Sequence, residues 1–83
     1  MGNSPADIEQ TVVAFLTRID KMPVDFHADM TLYADGVELD SLETAELSAL
    51  LEDDHGSDPY SDGSMPETMR DIQAYYERVD AGS

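Results

Sequence analysis

The chain predicts an all-α fold: a small bundle of three to four helices with a long loop between the first and second. Apolar residues recur at three- and four-residue spacing in three segments, and a capping residue precedes each of them. At 83 residues with no cysteine, the chain has room for one thin core and no disulfide or thiolate staple to support it. One domain over 1–83 is expected.

The first helix is expected over 5–20. Ser4-Pro5-Ala6-Asp7 supplies a capping serine, a proline at the first helical position and an acid three residues past the cap. Ile8, Val12, Phe15, Leu16 and Ile19 form its buried stripe, with Val13 beside it. Met22-Pro23 is expected to close the element, because a residue before proline is pushed out of helical geometry. Residues 21–39 have no clean period and read as a long connection tacked down by Phe26, Met30, Leu32 and Val37. Asp35-Gly36 marks a turn in it, and a short strand at 31–33 would have no evident partner.

The second helix, expected over 41–55 with Gly56 as its stop, has two unlike faces. Leu47, Leu50 and Leu51 cluster on the side that should face a core. Leu42, Ala45 and Ala49 fall nearly opposite, edged by Glu46, Glu52 and Asp53. Scattered exposed apolar residues are ordinary on any protein, but a small apolar strip bordered by acids also suits a docking surface. Residues 57–64 are turn-rich, with one helical turn expected near 58–62 and Pro59 at its first position. The last helix is expected over 66–79, capped by Ser64, with Met69, Ile72, Tyr76 and Val79 on its buried stripe and Tyr75 beside it. Residues 80–83 read as a frayed tail.

Four Lys and Arg stand against nineteen Asp and Glu, a formal charge of −15. Such a field repels nucleic acid and anionic membranes, draws basic partners and opposes compaction, so divalent cations should stabilise the fold. Arg18 and Lys21 fall in the first helical stretch and Arg70 and Arg78 in the last, which leaves 22–69 without a cation. No apolar run reaches membrane-spanning length and no basic segment leads into one, which fits a cytoplasmic location, as does the lack of cysteine.

The middle of the chain carries the chemistry. Asp40 and Glu43 have capping-box spacing, and Ser41 falls at the first helical position with its side chain directed out from the helix end. The open N–H groups and positive dipole end there favour an anion attached to that hydroxyl. Ser41 also sits inside an uninterrupted acidic zone of the sequence. Asp40-Ser41-Leu42, followed by Glu43, Glu46 and Leu47, resembles the attachment signature of acyl carrier proteins. Length, acidity, the central serine and helix order extend that resemblance over most of the chain. Carriers usually have glycine two residues before the aspartate; here Glu38 stands there and the glycine is Gly36. The Gly-Gly-His/Asp-Ser pattern of peptidyl carriers is missing, which points to the acyl branch.

The resemblance implies a non-enzymatic carrier. A phosphopantetheinyl transferase would attach 4′-phosphopantetheine from coenzyme A to Ser41, with Asp40 near that enzyme's metal. The arm would hold an acyl or aminoacyl group as a thioester. Leu42, Ala45, Glu46, Ala49, Glu52 and Asp53 would dock a loading ligase, acyltransferase or ketosynthase with basic patches. The implied setting is a discrete, monomeric carrier of the bacterial polyketide or mixed polyketide–peptide type. Glu38 and the odd stretch over 57–63 suit that type better than a housekeeping fatty-acid carrier.

Other chemistry is poorly provided for. His27 and His55 could serve a Ser41 nucleophile, but no Gly-x-Ser-x-Gly elbow accompanies them and the chain has little room for a pocket. A helix C-terminus is by itself favourable for His55. Aligning Gly63 with the invariant EF-hand glycine leaves Tyr60 and Met69 where oxygen ligands belong, so no dedicated metal site is expected. The competing reading is an acidic helical adaptor, a mimic of nucleic-acid charge that binds a basic protein. It needs the same negative surface but has no use for Ser41.

Overall fold

The computed structural model describes residues 4–33 and 35–81. Three helices, α1 (Pro5–Arg18), α2 (Ser41–His55) and α3 (Met69–Ala81), form an all-helical bundle with no strand among the described residues. α1 lies against both of the others. Ile8, Val12, Phe15 and Leu16 of α1 share one core with Leu47 and Leu51 of α2 and Met69, Ile72, Tyr75 and Tyr76 of α3. Leu32, Val37 and Leu39 of the long connection complete it, with Phe26 and Met30 packed at its edge. A fully buried aliphatic side chain contributes about 1.5–3 kcal/mol relative to exposure, so these three anchors offset part of the entropy of ordering that connection.

α1 opens on a full capping box: the Asp7 N–H donates to Ser4 Oγ at 3.2 Å and the Ser4 N–H donates to Asp7 Oδ2 at 3.2 Å. It stops at Arg18, short of residue 20, and proline is not the cause. Asp20 adopts φ +61, its N–H donates to the Thr17 carbonyl and the Lys21 N–H donates to the Leu16 carbonyl. This Schellman closure ends the helix before Pro23 is reached. Ile19 becomes the C-cap and is only partly buried, and Lys21 leaves the helix end toward α2.

The strand expected at 31–33 is reduced to a single bridge between Thr31 and Thr68, with the Leu32 N–H donating to the Glu67 carbonyl at 2.8 Å. Gly36 sits so close to this segment that an added Cβ would lie 2.0 Å from the Thr31 carbonyl oxygen, which also accepts the Val37 N–H at 3.0 Å. The bridge explains why α3 starts at Met69, not at 66. With Glu67 tied to Leu32, Thr68 becomes the cap: its Oγ1 accepts the Asp71 N–H at 3.1 Å, and Asp71 Oδ2 accepts the Glu67 and Thr68 N–H groups. Ser64 instead closes the preceding turn through its N–H.

At its far end α3 continues through Asp80 to Ala81, so these two residues are helical, not frayed; the rest of the expected tail, Gly82 and Ser83, lies outside the described residues. The buried stripe of α3 ends at Tyr76, with Tyr75 inside it, and Val79 remains 39% exposed because the core stops one turn earlier.

Candidate functional site

Leu39 sets the site's position. It is 7% exposed, its N–H donates to the Leu32 carbonyl at 2.9 Å, and the residue that follows it is the exposed cap of α2. Sequence reasoning passed over Leu39; the signal was an apolar residue directly before a helix cap. At the cap, Asp40 Oδ1 accepts the Glu43 N–H at 2.8 Å and Glu43 Oε1 accepts the Asp40 N–H at 3.0 Å. The expected capping box is present in full.

Ser41 follows at the first helical position, exposed, and its hydroxyl has no hydrogen-bond partner among the described residues. The Ser41 and Leu42 N–H groups likewise have no acceptor among the described residues, so half of the four donors that a helix start leaves open stay free. Beside Ser41 runs an open groove of about 410 Å³ lined by Tyr33, Leu39, Thr44, Ala45 and Met65. The Tyr33 hydroxyl donates to the Tyr60 hydroxyl at 3.1 Å. Burial pushes the Tyr60 hydroxyl above the usual phenol range.

The α2 faces divide as the spacing predicts. Leu47 and Leu51 are buried, while Leu42, Ala45, Glu46, Ala49, Glu52 and Asp53 are all exposed, Leu42 at 76%. Leu50 differs from expectation: it is half-buried, at a groove it shares with Phe15 and Arg18.

The uninterrupted acidic zone is a property of the sequence that folding breaks. Lys21 Nζ donates to Glu43 Oε1 at 2.6 Å and to the Glu38 carbonyl at 2.8 Å. Arg18 lies 3.8 Å from Glu46, and Arg70 pairs with Asp29. Glu52 and Asp53 have no ion pair among the described residues, so the unneutralised charge of the α2 face sits toward its C-terminal half. The bond to Glu43, against desolvation and helped by the charges of Glu43, Asp40 and Glu38, holds the Lys21 ammonium above its ordinary range.

A second polar constellation, not anticipated, borders the outer face of α2, where Ser48 and Ser61 line a groove with Ala45, Ala49, Glu52 and Asp53. Asp58 is 3% exposed, and its Oδ1 accepts the Ser48 hydroxyl at 2.9 Å, the Tyr60 N–H at 2.9 Å and the Ser61 N–H at 3.1 Å. It caps one helical turn, which closes by a Schellman arrangement: Gly63 has φ +83 and the Ser64 N–H donates to the Pro59 carbonyl. Asp58-Pro-x-Ser was the available signal, but its burial depends on Ser48, ten residues away. Among the described residues no group of three or more Asp, Glu or His side chains could hold a metal ion.

Neither histidine hydrogen-bonds to Ser41. His27 Nδ1 accepts the Asp29 N–H, and His55 Nε2 pairs with Thr11 Oγ1 at 2.8 Å. His55 is at the opposite end of α2, about 20 Å from Ser41 along the helix axis. No helix of the described residues is long and apolar enough to cross a membrane. No family model, curated protein or solved structure matches this chain, which leaves the geometry of the α2 corner as the basis for a functional reading.

Proposed function

We propose that this chain is an acyl carrier protein that is modified on Ser41 with 4′-phosphopantetheine. The observation that carries the reading is the α2 corner. An exposed serine hydroxyl without a partner among the described residues begins a helix whose cap is fixed by Asp40 and Glu43 and whose outer face presents Leu42, Ala45 and Ala49. Ser4 and Ser48, by contrast, commit their hydroxyls to the carboxylates of Asp7 and Asp58.

The corner fits the group. Ser41 would hold it, and the open Ser41 and Leu42 N–H groups with the helix dipole favour its phosphodiester charge. In the attachment step the Ser41 Oγ forms a bond to the pantetheine-side phosphorus of coenzyme A. The pyrophosphate P–O bond breaks, adenosine 3′,5′-bisphosphate leaves, and the hydroxyl proton passes to the transferase. The bound arm supplies a terminal thiol able to hold an acyl or aminoacyl group as a thioester. The chain's own part is to present the hydroxyl, position Asp40 beside the modifying enzyme's metal, and steer basic partners with the acidic edge of α2, where Glu52 and Asp53 have no ion pair among the described residues.

The proposed partners are a phosphopantetheinyl transferase and a loading ligase, acyltransferase or ketosynthase. The proposed setting is the cytoplasm, as a discrete monomeric carrier in a polyketide or mixed polyketide–peptide pathway.

Intact-protein mass tests this. Incubation with coenzyme A and a broad-specificity transferase should add one phosphopantetheinyl unit to the parent and none to Ser41→Ala. A folded parent that gains no mass would move the reading to the acidic adaptor, for which Ser41 has no role.

A further inference from the structure

We infer that Lys21 is the counter-charge of the attachment corner, a positioning residue that lets a phosphodiester on Ser41 coexist with the carboxylates of Asp40 and Glu43. The inference rests on the carrier reading above. Attachment brings a new negative charge to the first turn of α2. The helix end favours that charge, but Asp40 and Glu43 already place two carboxylates in the same turn, and Glu38 lies just before it.

Lys21 is the ammonium held on this turn. Its Nζ is 2.6 Å from Glu43 Oε1, the same oxygen that accepts the Asp40 N–H, so its charge is tied directly to the cap. Its second bond, 2.8 Å to the Glu38 carbonyl, grips the residue whose left-handed backbone (φ +65) leads into the corner. The placement is built from both ends. The Schellman closure of α1 fixes the Lys21 backbone through its N–H on Leu16, and the pair with Glu43 is partly buried. The other paired cations are committed elsewhere, Arg18 to Glu46 and Arg70 to Asp29.

A strap that merely joined the loop to α2 would stabilise the apo and the modified protein equally, whereas a counter-charge stabilises the modified form more. The test is a cycle of mutation against modification. Melting temperatures are measured at low salt for the apo and pantetheinylated forms of the parent, Lys21→Met, Lys21→Arg and Glu43→Gln.

Attachment should lower the melting temperature of Lys21→Met by about 4 °C more than it does in the parent, and that excess should shrink at high salt. Lys21→Arg should behave as the parent. Glu43→Gln keeps Lys21 but removes the carboxylate it neutralises, so attachment should become more favourable by a similar amount; this variant decides the matter if Lys21→Met does not fold. Equal attachment shifts in the parent and Lys21→Met, or an unchanged shift in Glu43→Gln, overturn the inference while leaving the carrier reading in place. A folded parent that gains no mass overturns both.

Discussion

Two aspartates open helical turns in this chain, and their surroundings turn them to opposite uses. Asp40 is exposed, caps α2 through the Glu43 N–H and leaves the neighbouring Ser41 hydroxyl free. Asp58 is buried, caps the turn over 59–63 through the Tyr60 and Ser61 N–H groups, and draws the Ser48 hydroxyl of α2 onto the same oxygen. The local chemistry is identical, a carboxylate taking N–H groups that a helix start leaves open. Neighbours decide the outcome. A buried proline follows Asp58, whereas Ser41 and Leu42 follow Asp40 at the surface. A cap is structural by default, and it becomes a candidate site where the adjacent hydroxyl is left uncommitted.

The largest expected effect is at the buried cap. Asp58→Ala strands the Ser48 hydroxyl and two backbone N–H groups, and should cost about 2–4 kcal/mol in urea unfolding. The second Asp58 oxygen is buried without a hydrogen-bond partner among the described residues, which keeps the net loss below the sum of three charged bonds. Burial alone would push the Asp58 carboxyl up, but the Ser61 and Ser48 side chains and the Ser61 and Tyr60 N–H groups outweigh it and hold the carboxyl below its usual range. A group depressed on folding adds stability above its unfolded pKa of about 4, and that stability is lost as pH falls through the lower folded value. Asp58→Asn should therefore flatten the decline of stability below about pH 4. Parallel acid limbs for parent and variant would show that Asp58 does not report its folded state through its charge.

Asp40→Ala should be milder in stability and stronger in function. Loss of an exposed N-cap costs about 0.5–2 kcal/mol, but the same change frees the first turn that positions Ser41. The kcat/KM for transferase modification should fall more than the stability loss accounts for, whereas molecules of Asp58→Ala that remain folded should be modified as the parent is. If the two variants change modification and stability in the same proportion, the distinction between a displaying cap and a clasping cap fails.

The parts of the molecule that were legible in the sequence are those whose cause is local. The α2 start needs only Asp40, Glu43 and their spacing; its stop needs only Gly56, whose φ is +84. The exposed strip from Leu42 to Asp53 follows from helical period alone. What could not be read depends on partners distant in the chain. The start of α3 is moved by the bridge from Thr31 to Thr68, and the burial of Asp58 needs Ser48. The acidic zone looked unbroken because Arg18 and Lys21 precede it, yet both side chains reach onto α2 once α1 ends at Arg18 and the chain turns at Asp20. Charge counted along a chain is a poor guide to charge counted across a surface.

The smallest effect sharpens the comparison most, because it concerns backbone alone. The Asp58 turn meets its need for positive φ with glycine, Gly63 at +83, while the approach to Asp40 meets it with Glu38 at +65. Its backbone bonds, the N–H on the Tyr33 carbonyl and the carbonyl to Lys21, do not require a side chain. A residue with a Cβ in that region carries a cost of roughly 1–2 kcal/mol, partly offset on replacement by the greater freedom of glycine in the unfolded chain. Glu38→Gly should therefore stabilise the fold by about 0.5–1 kcal/mol. Glu38→Gln, which removes the charge and keeps the strain, should gain less. If Glu38→Gly instead destabilises while Glu38→Gln does not, the Glu38 side chain supports the corner through its shape, and the left-handed residue before the site is held for more than its backbone.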